Sequence, residues 1–100
     1  MKIYHPYISN REGKKYMILT KDGKIIHFGA KKANGKFFED YSMHHDDKRK
    51  LNYLRRHKNE AKFWNQSGLD TSSFWARFLL WNRPTIDESY NYIKTHFDLN

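Results

Sequence analysis

The stretch GLDTSSFWARFLLWNRPT, Gly68–Thr85, holds the densest group of large apolar side chains in this chain. Six of the eight residues from Phe74 to Trp81 are aromatic or leucine, and Arg77 is the lone charge among them. Burying one such ring stabilises a fold by roughly 2–3 kcal/mol. We therefore predict a short central helix, Ser72–Trp81, around which the other elements pack.

Capping signals bound this helix and introduce the next one. Asp70 or Thr71 can cap its first turn, and Pro84 ends it, because the residue before a proline resists the α region. Thr85 and Glu88 fit a capping box, which predicts a last helix whose apolar residues follow helical spacing. The predicted structural core comes from these two helices and consists of Phe74, Trp75, Phe78, Leu79, Trp81, Ile86, Tyr90, Ile93 and Phe97.

Two β-prone runs lie in the first third of the chain. Lys15–Thr20 (KYMILT) and Lys24–Gly29 (KIIHFG) flank the dipeptide Asp22-Gly23. This dipeptide between two such runs is typical of a type I′ hairpin turn, because both residues tolerate positive φ. The pattern predicts an antiparallel hairpin.

Two further segments flank the hairpin. Met1–Asn10 alternates in part around Pro6 and predicts an edge strand or an ordered arm, since proline suits a sheet edge. Phe37–Met43 (FFEDYSM) predicts a short third strand or an extended link.

A basic helix is predicted at Asp47–Ala61, with Asp46 or Asp47 as its N-cap. At 100° per residue, one face with a thin apolar stripe is formed by Leu51, Leu54, Lys58 and Ala61. We expect the helix to pack on that narrow side and to be solvated elsewhere.

Strands followed by helices indicate an α+β fold. We predict a small antiparallel sheet, with its hairpin at Lys15–Gly29, followed by a cluster of three helices. A length of 100 residues predicts a single domain, with a β-rich part at residues 1–43 and a helical part at residues 44–100.

The positive charge is concentrated in the first two thirds of the chain. The net charge is +8, and residues 1–62 hold 16 Lys and Arg against 7 Asp and Glu. Such a run suits phosphates, an acidic protein or an anionic membrane surface, and a solvated surface helix explains it equally well. The candidate partner- or phosphate-binding residues are Lys31, Lys32, Lys36, Lys48, Arg49, Arg55, Arg56 and Lys62.

Histidines and acids near the start of the basic helix form a second candidate site. Neighbouring side chains such as His44 and His45 usually point apart, and the i, i+4 His pair of helical zinc sites is absent. We expect no metal there. A small metal-dependent nuclease that uses His44, Asp46 and Asp47 is the enzymatic alternative. A further, non-enzymatic alternative is the binding of single-stranded nucleic acid by stacking of its bases on aromatic residues of the sheet.

Composition narrows the remaining classes of function. The chain has no Cys, which excludes disulfides, thiolate zinc sites and Cys nucleophiles. It has no P-loop, GxGxxG or GxSxG motif, so we expect no enzymatic activity and no cofactor. No apolar run approaches the roughly 18–20 residues that span a bilayer, and Met1–Asn10 has no apolar signal core. We therefore expect no membrane span and no secretion, and the oligomeric state stays open.

Three ordered segments resemble a family of small uncharacterised proteins encoded by nucleocytoplasmic large DNA viruses. They are Ile26–Ala30 (IHFGA), Asp40–Lys58 (DYSMHHDDKRKLNYLRRHK) and Phe74–Lys94 (FWARFLLWNRPTIDESYNYIK), and the resemblance covers roughly residues 16–97. The chain departs from that family at His45, where Lys is usual, and at Phe78, where Trp is usual.

This resemblance implies a viral setting and brings no established activity with it. Some members of that family are virion components. The resemblance therefore implies a small basic structural or internal virion component, located in the virion or in the host-cell cytoplasm or nucleus. Its basic face would bind capsid or core proteins, or packaged DNA. A nucleic-acid-binding protein that acts during infection is the alternative.

Overall fold

The computed structural model of the chain describes residues 1–30 and 39–99. In these residues a three-stranded antiparallel sheet is followed by several helices, which confirms the α+β fold. The chain divides into a sheet unit, Met1–Phe38 with Leu99–Asn100, and a helical unit, Glu39–Asp98. The helical unit thus begins before the predicted His44. In the described part of the predicted strand or link Phe37–Met43, Tyr41–His44 is a turn of helix, while Phe37 and Phe38 lie outside the described residues. The single domain stays a prediction.

The sheet unit contains β1 (Tyr7–Ile8), β2 (Tyr16–Leu19) and β3 (Ile25–Phe28), paired in the order β1-β2-β3. β1 lies at the edge, immediately after Pro6, as the pattern of Met1–Asn10 predicts. The most deeply buried apolar side chains of this unit are Tyr4, Ile18 and Phe28.

The hairpin between β2 and β3 is confirmed, but the predicted type I′ turn is wrong. Among the described residues of the turn, Gly23 has a positive φ of 90° and Asp22 does not. Thr20 N–H donates to Lys24 O at 2.8 Å, and Gly23 N–H donates to Thr20 O at 3.0 Å. The Thr20 hydroxyl also donates to the Asp22 carboxylate and accepts from Lys24 N–H. These bonds stabilise a three-residue loop with one left-handed glycine.

Four α-helices are described in the helical unit, and side chains cap them much as the sequence predicts. Asp46, Thr71 and Thr85 accept hydrogen bonds from N–H groups of the first turn of their helices. The helices are α1 (Tyr41–His44), α2 (Asp47–Arg56), α3 (Ser72–Trp75) and α4 (Ile86–His96), with 3₁₀ helices at Lys58–Phe63 and Gln66–Gly68.

The central aromatic helix departs from regular α geometry. α3 runs directly into a π-helical turn, Ala76–Leu80, and the helical segment ends before Trp81. The wider π turn holds Phe78, Leu79 and Leu80, all buried. The predicted helix therefore exists at the predicted place, but half of it is wound more loosely than an α-helix.

The core of the helical unit is built around this segment. Phe74, Trp75, Leu79 and Ile93 are fully buried, and Phe78 is 8% exposed. The Trp75 indole N–H donates to Leu69 O at 2.8 Å, so its one polar atom is satisfied inside the core. The other predicted core residues are half-buried at its margin: Trp81, Ile86, Tyr90 and Phe97.

The prediction of an apolar stripe on the basic helix is wrong. Leu51 is 55% exposed and Leu54 is half-buried, whereas Tyr53 is buried. The α-helix also ends at Arg56 instead of Ala61, and the chain continues as a 3₁₀ helix. In the part of the chain that the structure describes, no helix is both long enough and apolar enough to cross a bilayer.

Candidate polyanion-binding surface

Helix α2 is held in the helical unit by its inner face, which carries Lys50, Tyr53 and His57 at helical spacing. The Tyr53 ring stacks on Trp81, with a centroid distance of 4.4 Å and an angle of 4° between the planes. Lys50 Nζ donates to Asn82 O at 2.6 Å. An aromatic stack and one charge-assisted hydrogen bond thus anchor the helix in place of the predicted leucines.

The opposite face of α2 carries exposed cations. At 100° per residue, its four outward Lys and Arg side chains fall within about 120° of the helix circumference and span about 12 Å along the axis. Over that length B-DNA carries about three phosphates on each strand. We define the basic surface as these four residues plus Lys62, one of the two exposed cations of the following 3₁₀ helix: Lys48, Arg49, Arg55, Arg56 and Lys62.

The charge of the basic surface is mostly unneutralised by acids in residues 1–30 and 39–99. Arg49 Nη1 lies 3.1 Å from Glu39 Oε2, in an ion pair between exposed side chains. Such pairs are worth about 0–1 kcal/mol, so a phosphate can displace the carboxylate at little cost. Glu60 lies 3.9 Å from His57 rather than from a cation of the basic surface.

The acids at the start of α2 have structural partners. The Asp46 carboxylate accepts from Lys48 N–H at 3.0 Å and Arg49 N–H at 3.3 Å, and the Tyr41 hydroxyl donates to Asp47 Oδ1 at 2.7 Å. Asp46 N–H donates to His44 Nδ1 at 2.9 Å. In the described ranges, no group of three or more His, Cys, Asp or Glu side chains could hold a metal ion.

Three of the predicted site residues, Lys31, Lys32 and Lys36, lie outside the described residues. The other five form the basic surface. The structure thus brings Lys48, Arg49, Arg55 and Arg56 together on one helix face.

The position of Arg77 was not deducible from the sequence. Its Nη1 donates to Trp81 O at 2.8 Å, and its guanidinium lies 5.6 Å from the Trp64 ring centre and 5.0 Å from that of Phe78. The side chain is half-buried among rings. Among the described residues, Arg77 thus pairs with a backbone carbonyl and aromatic rings and not with a carboxylate.

Burial shifts the ionisation of the groups behind α2. It raises the pKa of the Tyr53 hydroxyl, which therefore stays neutral. It lowers the pKa of the Lys50 ammonium and of the Arg77 guanidinium. The spacing of Lys50, Tyr53 and His57 was the available sequence signal for this inner face, but a lysine on a buried face is a weak signal because lysine is normally solvated.

A model of a family described as a family of unknown function (DUF5754) matches residues 5–57. The matched range contains the three strands of the sheet unit together with α1 and α2, and thus most of the basic surface. No curated protein and no solved structure matches the chain.

Proposed function

The chain belongs to the DUF5754 family of unknown function, and we propose that it is a non-enzymatic protein that binds the phosphate backbone of DNA through its basic surface. The observation that carries this proposal is the single arc of exposed cations on α2, of which only Arg49 is ion-paired among the described residues. The arc spans about 12 Å, a length over which each strand of B-DNA carries about three phosphates.

The anchoring of α2 supports the same proposal. Because Tyr53 and Lys50 hold the inner face, the outward side chains keep their common direction without a partner. The backbone that carries these cations therefore loses little conformational freedom on binding, and the remaining cost is the ordering of the Lys and Arg side chains. The contacts available are to phosphates and carry no base sequence information, so we expect binding without strong sequence preference.

Replacing Arg49, Arg55 and Arg56 together by Ala is expected to weaken DNA binding at least about 100-fold at 50 mM salt. Each lost phosphate contact also lowers the steepness of the salt dependence, by about one unit of the log–log slope. Retardation of labelled duplex and single-stranded DNA in a gel, repeated between about 50 and 200 mM salt, measures both quantities.

A charge-matched control separates this effect from a general loss of net charge. The variant with Lys2, Lys24 and Lys94 changed to Ala also loses three exposed cations, but none from α2. It should keep DNA affinity within a few-fold of the unmodified protein. No retardation by the unmodified protein at about 50 mM salt, or equal losses in both triple variants, would reject the proposal. Retention of an acidic protein instead would identify a protein surface as the partner.

We further propose that the protein is a structural or internal component of a large DNA virus particle, where packaged DNA or a capsid or core protein supplies the acidic partner. The resemblance carried by IHFGA and by the RRHK and FWARFLLWNRPT segments supports this setting. Quantitative mass spectrometry of purified particles should find it in stoichiometric copy number. Its presence in infected cells but absence from particles would instead support a role during infection.

A further inference from the structure

Two cationic side chains donate to one short segment of the helical unit, Trp81–Arg83, and the segment itself carries a third. Arg77 Nη1 donates to Trp81 O at 2.8 Å, and Lys50 Nζ donates to the next carbonyl along the chain, Asn82 O, at 2.6 Å. Arg83 follows directly, and its guanidinium lies 5.1 Å from the Tyr92 ring centre. Lys50 and Arg77 thus donate to consecutive carbonyls of the segment that Arg83 continues, and the charges of Arg77 and Arg83 both act on the Lys50 ammonium.

This cluster has too few negative charges of its own. Within residues 1–30 and 39–99, no carboxylate forms an ion pair with Lys50, Arg77 or Arg83. Burial is the largest cause that lowers the pKa of Lys50, and the charges of Arg77 and Arg83 lower it as well. Asp47 is the one acid that raises it. Half-buried cations that repel each other cost free energy unless an anion joins them.

The donors of the cluster are oriented and only partly used. Arg77 lies against the Trp64 and Phe78 rings, and among the described residues its guanidinium makes one hydrogen bond, to Trp81 O. Asn82 is 7% exposed, and its side-chain Nδ2 is a buried donor without a hydrogen-bond partner. Unsatisfied buried donors are rare in proteins, so we expect a bound group to supply a hydrogen-bond acceptor for this amide.

We infer that Lys50, Arg77 and Arg83 form an anion subsite for one phosphate group, reached from the side of the exposed Arg83. Three cations with Asp47 leave about two positive charges, which match the charge of about −1.5 to −2 on a phosphate monoester at pH 7. Arg side chains also match phosphate oxygens with paired donors. The ligand is inorganic phosphate or a phosphate monoester. None of the three residues belongs to the basic surface, so the inference does not rest on DNA binding.

Thermal unfolding and calorimetric titration of the full chain test the subsite, with the ionic strength held constant by sodium chloride. The probes are inorganic phosphate, thymidine 5′-monophosphate and thymidine. We expect phosphate or the monophosphate to raise the unfolding midpoint, as ligands of the native state do. Arg83→Gln should weaken that binding about tenfold or more, because it removes a charge-assisted contact. Arg83 is exposed, so this variant should fold, whereas Arg77→Gln disturbs the core as well.

The outcomes separate the two sources of phosphate and can overturn the inference. Binding of the monophosphate alone identifies an ester, and binding of inorganic phosphate supports a free phosphate group. Lys94→Gln removes an exposed cation of α4 outside the cluster and should bind like the unmodified protein. The inference is overturned if neither phosphate probe binds, if thymidine binds as well as its monophosphate, or if Arg83→Gln binds phosphate unchanged.

Discussion

Trp75→Ala should lower the free energy of unfolding of the helical unit by about 3–5 kcal/mol, the usual cost of removing a large buried aromatic side chain. The Trp75 ring is fully buried and packs edge-on against Phe74 at 5.7 Å. Its N–H bond to Leu69 O is lost as well, which leaves a buried carbonyl without that donor. Small domains have a total free energy of unfolding of about 5–15 kcal/mol, so the substitution removes a large part of it.

Tryptophan fluorescence during urea and thermal unfolding measures this change, because all three Trp residues, Trp64, Trp75 and Trp81, lie in the helical unit. The thermal midpoint should fall by roughly 20 °C, at about 4–8 °C per kcal/mol for a unit of this size. Phe63→Ala truncates an aromatic side chain that is 36% exposed and should cost less than about 1 kcal/mol. Equal midpoints for Trp75→Ala and the unmodified protein would mean that this ring is not part of the core.

Trp81 shows how far the sequence could resolve the core. In the sequence Trp75 and Trp81 are equivalent aromatic anchors of one helix. In the structure the π turn ends the helical segment before Trp81, and this ring is half-buried against Tyr53. The change from α to π winding depends on how the whole segment packs, and no local sequence pattern predicts it. We therefore expect Trp81→Ala to cost less than Trp75→Ala.

The features that the sequence predicted well are local ones, the helix caps and the hairpin. Asp46, Thr71 and Thr85 cap helices because a side-chain oxygen needs only the backbone of its own first turn. The hairpin at Asp22-Gly23 is local in the same way. Its turn type was missed because the Thr20 hydroxyl contributes two bonds that the dipeptide rule does not consider.

The inner face of α2 was missed for the opposite reason. Hydrophobic periodicity selected Leu51, but the structure buries Tyr53 beside Lys50. That choice depends on Trp81 and Asn82, which are distant in sequence and supply a ring and a carbonyl oxygen. The exposed face was easier to predict because solvated charges need no partner. For the same reason, the basic surface was deducible from the sequence and the phosphate subsite was not.

Gly68→Ala should be as damaging as the loss of Trp75, although it adds only one methyl group. A Cβ at this position would lie 1.7 Å from Phe63 O and 2.5 Å from Phe63 C. Both atoms belong to the backbone, so no side-chain rotation relieves the clash. Gly68 is itself buried at the end of the Gln66–Gly68 helix, and its N–H donates to Asn65 O at 3.0 Å. The connection between the two 3₁₀ helices would have to open.

We expect Gly68→Ala to lower the free energy of unfolding by about 3 kcal/mol or more, at the upper end of overpacking costs. The matched control is Ser67→Ala at the neighbouring exposed position, which loses one hydrogen bond to Asn65 and should cost about 1 kcal/mol or less. An Ala at a permissive glycine position is normally neutral or stabilising by about 0.4–1 kcal/mol, because it restricts the unfolded chain. The sign of the change in unfolding free energy therefore distinguishes a clash with Phe63 from a permissive glycine position. A stabilised variant would mean that residues 63 and 68 do not approach each other as described, and that the chain enters α3 by another path.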